Sequence, residues 1–280
     1  MRFVTFFDAD GRSRPGVLDG EAIAVIDCAT LRDFIALTQR ERTGQISSRH
    51  VSSKVRLDAP VRPARNVICV GRNYLEHARE GARALGRELK IPDVPAFFTK
   101  ATNAIAAPDT SLHLQERISR EYDYEAELAV VIGTRCKDVR QKEWREVVFG
   151  YTCLNDITAR DLQRAHGQWF KGKSLDETCP IGPWILPAAE IGDPGNLEIR
   201  FLLNGVEKQH DTTAHMIFPV SRIIAEASRG MTLEPGDVIA TGTPAGVGFA
   251  RTPPEFLADG DEMAVEIEGI GTLRNQVRIV

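Results

Sequence analysis

The sequence predicts an α+β fold, mostly β. Three observations point there: many short apolar runs bounded by Gly, Pro and Asp, few helical patterns, and no regular alternation of strand with helix. A doubly wound parallel sheet needs that alternation. No internal repeat or low-complexity segment interrupts the chain.

Residues 1–61 read as a small β-rich N-terminal domain. RFVTFF is rich in strand formers, and EAIAVID is a second candidate strand after the turn at Asp19-Gly20. A helix over TLRDFIALTQRER follows, then the polar stretch TGQISSRHVSS. APVRPARN carries two prolines and leads into the apolar VICVG, which places the boundary near residue 62. Residues 62–280 form the second domain. Its strands are NVICVG, AFFTK, ELAVVIG, FGYTCLND, LEIRFLLNG, GDVIATGT and DEMAVEIEGIGTL. Its helices are LEHAREGARALGREL, QKEWREVV, TARDLQRAH and VSRIIAEASRG, the last ending at Gly230.

With 280 residues the chain is long enough to bury a sizeable core. Its apolar share of 42%, charged share of 26% and net charge of -4 are those of an ordinary globular protein. That balance gives no case for nucleic-acid or anionic-membrane binding. No apolar run approaches the roughly 20 residues that span a bilayer. The first residues lack the apolar core of a signal peptide. The five cysteines are odd in number and without a CxxC, and read as reduced thiols. The expected location is therefore the cytoplasm.

YDYEAELAVVIG is the most informative segment. On a strand Glu125 and Glu127 point the same way, and the apolar residues after them predict burial on both faces. Two buried carboxylates side by side repel one another and lose hydration. A divalent cation, a shared proton or a pair of arginines would each resolve this. A third acid, Asp156, ends the apolar strand FGYTCLND before a helix opened by Thr158, with Asp161 completing a possible capping box. Asp156 either belongs to that cap or joins the two glutamates. Such an all-oxygen set suits Mg²⁺ or Mn²⁺, and the lack of nearby His or Cys argues against zinc.

EYDYEAELAVVIG, GYTCLNDITARDLQ, QWFKGKSLDETCPIGPW and GDVIATGTPAGVG, in this order, resemble the fumarylacetoacetate hydrolase family over roughly residues 62–280. The resemblance implies a mixed β-sandwich or roll, a homodimer, and Mg²⁺ or Mn²⁺ chemistry on a small 2-oxo acid. It makes Glu125, Glu127 and Asp156 the metal ligands. Arg160 and Gln163 follow Asp156 at the family spacing and become binders of the substrate's carboxylate or oxo groups. Lys173 matches the lysine that stabilises enolate charge. Lys171 would share its face if this segment were a strand. Gly242 and Thr243, in TGTPAGVG, become substrate contacts. That stretch is no phosphate loop, lacking the Gly-Lys-Ser/Thr ending.

GRNYLEHARE resembles the lid of members that carry a His-Glu dyad. On a helix His77 and Glu80 share a face, so Glu80 orients an imidazole that takes a proton from water. The favoured reaction is then C–C hydrolysis of a 2,4-dioxo acid of acylpyruvate or fumarylpyruvate type. The alternative is isomerisation or decarboxylation of hydroxymuconate-like or oxaloacetate-like 2-oxo acids. Val70 stands where some members have a further acidic ligand, which points to three-carboxylate members. Segments 81–95 and 250–258 are the expected specificity elements.

Overall fold

The computed structural model describes residues 1–52 and 54–280. The chain is mostly β, as its turn spacing predicts. The larger sheet runs Ile46–Ser52, Ala22–Ile26, Ser13–Asp19, Arg2–Phe7, Cys179–Pro187, Val148–Asn155, Ala126–Ile132, Val238–Ala240, Val67–Gly71 and Ala96–Lys100. Neighbours on this path are antiparallel except Val238–Ala240 with Val67–Gly71. The second sheet runs Val206–Thr212, Glu198–Leu203, Glu262–Ile267, Gly271–Ile279 and Thr110–Leu114.

The central strand Ala126–Ile132 explains why its sequence is apolar throughout. Leu128, Val130 and Ile132 pack into a core shared with Ile199, Phe201, Val265 and Val277 of the second sheet. Ala129 and Val131 face the other way, into a core shared with Phe3, Val17, Leu31 and Phe34. Successive side chains alternate between faces, so a strand with a core on each side must be apolar at every position. The first residues of the chain therefore share a core with the strand that carries Glu127.

Several local expectations are corrected. The polar stretch after residue 43 contains the edge strand Ile46–Ser52. The N-terminal helix is two, Leu31–Ile35 and Gln39–Gln45, each opened by a threonine capping box at Thr30 and Thr38. The last segment is a hairpin of Glu262–Ile267 and Gly271–Ile279. Among the described residues no helix is long and apolar enough to cross a membrane.

Close strand packing makes Gly150 a sensitive point. A Cβ there would lie 2.2 Å from the Leu186 carbonyl oxygen and 2.8 Å from Ile185 Cγ2. Backbone cannot yield as a flexible side chain would. Gly150→Ala is expected to lower unfolding free energy by about 1–3 kcal/mol in denaturant titrations.

Candidate active site

Antiparallel pairing brings the acids together. Ala126 pairs with Asn155 and Glu127 with Leu154, so Glu125 just precedes one strand where Asp156 just follows the other. The Asp156 N–H donates to the Glu125 carbonyl at 2.8 Å, closing the junction. Carboxylate oxygens of Glu125, Glu127 and Asp156 lie within 4.8 Å of one another, and all three residues are buried.

Cations surround this floor unevenly. Lys173 Nζ donates to Glu125 Oε2 at 2.8 Å and to Asp156 Oδ2 at 2.6 Å. Lys100 Nζ lies 2.7 Å from Asp156 Oδ1 and donates to the Ile157 carbonyl at 2.9 Å. Arg160 approaches Glu125 Oε1 at 2.8 Å. Burial pushes the Glu125 carboxyl up, but Lys173, Arg160 and His77 outweigh it and hold it at about 2. Glu127 has no ion-pair partner among the described residues; its Oε2 accepts only the Gly242 N–H, at 2.6 Å. Burial, then the charges of Asp156 and Glu125, push its carboxyl well above the usual range. A buried all-carboxylate set with one member lacking a cation fits a hard divalent ion.

Thr158 does not cap the following helix. Its hydroxyl donates to the Asp156 carbonyl at 2.9 Å, and the helix Arg160–Ala165 starts after an uncapped Ala159. Asp161 instead accepts the Ser119 hydroxyl at 2.6 Å. Asp156 is thus free of capping and belongs with the glutamates. Lys171 and Lys173 lie on a helical turn, Phe170–Lys173, so two residues apart means nearly opposite faces. Lys171 is exposed and Lys173 is buried, which removes the ambiguity of a strand reading.

Two functional neighbours were not anticipated. One is Lys100, at the end of AFFTK. The other is Asp123, which continues the alternation of Glu125 and Glu127 one step earlier. Asp123 accepts Arg160 Nε at 2.8 Å, the N–H groups of Gly248 and Phe249 at 2.7 and 3.0 Å, and the Tyr124 N–H at 2.9 Å. It thereby fixes Arg160 and the loop that places the Phe249 ring 4.4 Å from that guanidinium. All these partners are donors, so an amide at this position would aim its own N–H groups at other donors. Asp123→Asn is expected to cost about 3 kcal/mol in unfolding experiments, the penalty of breaking a buried pair.

A cavity of about 620 Å³ opens above the floor, lined by His77, Glu125, Glu127, Arg160, Gln163, Lys173 and Thr243 among others. Gln163 accepts from Arg160 Nη1 at 3.2 Å. Gly242, with its N–H spent on Glu127, is not among the lining residues. The helix Leu75–Ala84 covers one wall. His77 Nδ1 meets Glu80 Oε1 at 2.9 Å, while Glu80 Oε2 accepts the Gly246 N–H at 2.9 Å. An ionised acceptor at Nδ1 keeps the proton there and leaves Nε2 as the basic nitrogen. Of the expected specificity segments, residues 81, 82, 85 and 87–90 line the cavity and 250–258 do not.

Residues 66–278 match the family model described as fumarylacetoacetate hydrolase C-terminal. The chain is 45% identical over 226 residues to oxaloacetate tautomerase YisK of Bacillus subtilis (strain 168), covering 80% of this chain and 74% of that protein. It superposes at a TM-score of 0.86 on a fumarylacetoacetate hydrolase from psychrophilic Exiguobacterium antarcticum, 40% identical and covering 100% of both chains. It superposes at 0.83 on a 5-carboxymethyl-2-hydroxymuconate delta-isomerase from Mycobacterium smegmatis, 34% identical, again over 100% of both.

Proposed function

The chain belongs to the fumarylacetoacetate hydrolase family, and from that premise we propose that it interconverts the enol and keto forms of a 2-oxo acid with the help of a divalent metal. The observation that carries this is the juxtaposition, in one cavity, of the carboxylate floor, Lys173 and the His77–Glu80 pair. The tautomerase and isomerase names among its relatives favour this reading over the C–C hydrolysis that the sequence alone favoured.

Glu125, Glu127 and Asp156 would hold Mg²⁺ or Mn²⁺. When bound, the ion supplies positive charge to the carboxylate and 2-oxo oxygens of the substrate, which acidifies the adjacent carbon. Arg160 and Gln163 orient the acid, and Asp123 keeps Arg160 from wandering. His77 Nε2 takes the proton from C3 and delivers it to the 2-oxo oxygen to give the enol, or carries it from the enol oxygen to C3 in the opposite sense. Glu80 stabilises the imidazolium formed in between. The Lys173 ammonium faces the negative charge that gathers on the enolate oxygen. Thr243 and the helix over the cavity limit access of water to that enolate.

Hydrolysis of an acylpyruvate remains the second reading, favoured by the likeness to the Exiguobacterium hydrolase. It would use the same enolate as leaving group and the same His77 to activate water. A panel of oxaloacetate and acylpyruvates, followed with and without Mg²⁺, separates the two. Loss of enol absorbance with the acid conserved indicates tautomerisation; release of pyruvate from an acylpyruvate, with the matching carboxylic acid, indicates hydrolysis. If metal accelerates neither, the enolate reading falls. We further propose that the chain is a homodimer of the cytoplasm with its first 61 residues as a distinct domain, to be checked by light scattering, fractionation and limited proteolysis.

A further inference from the structure

Glu125 and Asp156 are held by lysine and arginine, whereas Glu127 is held by a single hydrogen bond, from the Gly242 N–H at 2.6 Å. That N–H belongs to the peptide joining Thr241 to Gly242. The carbonyl and N–H of a trans peptide lie in one plane and point in opposite directions, so a group that fixes one aims the other. The Thr241 carbonyl accepts Asn73 Nδ2 at 2.7 Å. A continuous line therefore runs from the Asn73 amide, through one peptide, to Glu127 Oε2. Donation to the carbonyl also polarises the peptide and makes its N–H a stronger donor.

Both ends of this line are anchored. Asn73 is buried, donates a second time to the Phe218 carbonyl at 3.0 Å and accepts the Phe218 N–H at 2.8 Å. Its own carbonyl accepts the Ile217 N–H at 2.7 Å. On the other side the Thr241 N–H and hydroxyl both donate to the Leu128 carbonyl, at 3.0 and 2.9 Å. The side chain lies so close to the peptide that residue 242 must be glycine. With φ at 100°, a Cβ there would lie 2.7 Å from Asn73 Cβ and 3.1 Å from the Val70 carbonyl oxygen. The position needs two donors and an acceptor on a short side chain, which asparagine supplies. Aspartate keeps the shape and loses both donors.

We infer that Asn73 is a positioning residue for the metal floor, acting on Glu127 through the Thr241–Gly242 peptide. This rests on the divalent-ion reading above, and it adds how the ligand without a cation is held in place. Two residues further on, Leu75 begins the helix that carries His77. One buried amide thus fixes the floor relative to the helix that covers it.

The test joins NMR of the metal-free protein to Mg²⁺ binding by calorimetry. Thr-Gly occurs in the chain only at 43–44 and 241–242. Labelling threonine with ¹³C at the carbonyl and glycine with ¹⁵N therefore selects two amide signals, exposed Gly44 and buried Gly242. In wild type the Gly242 proton is expected downfield of the Gly44 proton, as a short bond to a carboxylate requires. Asn73→Ala should move it upfield and weaken Mg²⁺ binding about 10–100-fold, the usual cost of losing a group behind a metal ligand. Asn73→Ser, a milder cut, should give intermediate losses and serves if the alanine variant does not fold. Asn275→Ala is the control, since this buried amide donates to the Ala107 and Thr110 carbonyls at 2.9 and 3.1 Å, outside the cavity lining. It should leave the Gly242 signal in place and Mg²⁺ affinity within about twofold, as a distant site does. A Gly242 signal that ignores Asn73, Mg²⁺ affinity unchanged in the Asn73 variants, or an equal loss in Asn275→Ala would overturn the inference. Wild type that binds no Mg²⁺ would remove the metal reading itself, and this role for Asn73 with it.

Discussion

Lys173→Met is expected to lower kcat/KM by about 10²–10³-fold and, in the absence of metal, to destabilise the protein by about 3 kcal/mol. The first figure is the usual cost of losing a charge aimed at a developing oxyanion. The second follows from leaving Glu125 Oε2 and Asp156 Oδ2 without the ammonium that now sits 2.8 and 2.6 Å from them. Lys100 and Arg160 still serve the other oxygens, which keeps the loss near the lower end of the range for a broken buried pair. The two effects should part company when Mg²⁺ is added. A divalent ion draws on the same oxygens as the lysine, so the variant should gain more thermal stability from metal than wild type does. Its activity should stay low. Calorimetric melting with and without Mg²⁺, beside steady-state kinetics, reads both. A variant with normal turnover, or one whose melting responds to metal no more than wild type, would refute this account of Lys173.

His77→Ala should reduce enol–keto exchange by about 10²–10⁴-fold while leaving Mg²⁺ affinity within about threefold. The imidazole lines the cavity and takes no part in the carboxylate floor, so its loss removes the proton carrier and spares the ligands. Glu80→Gln should fall between the two. The amide can still accept from one partner, but it cannot stabilise an imidazolium as a carboxylate does. Metal titration by calorimetry and exchange followed in the enol absorbance band check the pair. Equal losses of metal binding and exchange would show instead that His77 shapes the floor.

What could be read from the sequence was set by the distance over which each residue acts. Glu125 and Glu127 share a strand, and alternation alone puts them on one face. Asp123 obeys the same alternation and could have been found by carrying it one step back through YDYEAE. Its role was hidden because its partners Arg160, Gly248 and Phe249 are 37 to 126 residues away. Lys100 is less legible still. A lysine ending an apolar strand is ordinarily a solvated strand end, and only the fold brings it to Asp156. The Thr158–Asp161 spacing was a genuine local signal that lost to tertiary contacts: Glu125 and the Asp156 carbonyl claim the hydroxyl, and Ser119 claims the carboxylate. Lys171 and Lys173 could be told apart only once the segment was known to be helical.

Among the described residues lining the cavity, His77 is the sole imidazole, and it enters from one wall. A planar enol held by its oxygens against the carboxylate floor shows that wall only one of its two faces. Under the proposed reaction the proton would arrive on that face every time, so in deuterated water the label would enter one of the two prochiral positions of the C3 methylene. One histidine on one helix would thus set the face on which that proton exchanges as well as the rate of the proposed reaction.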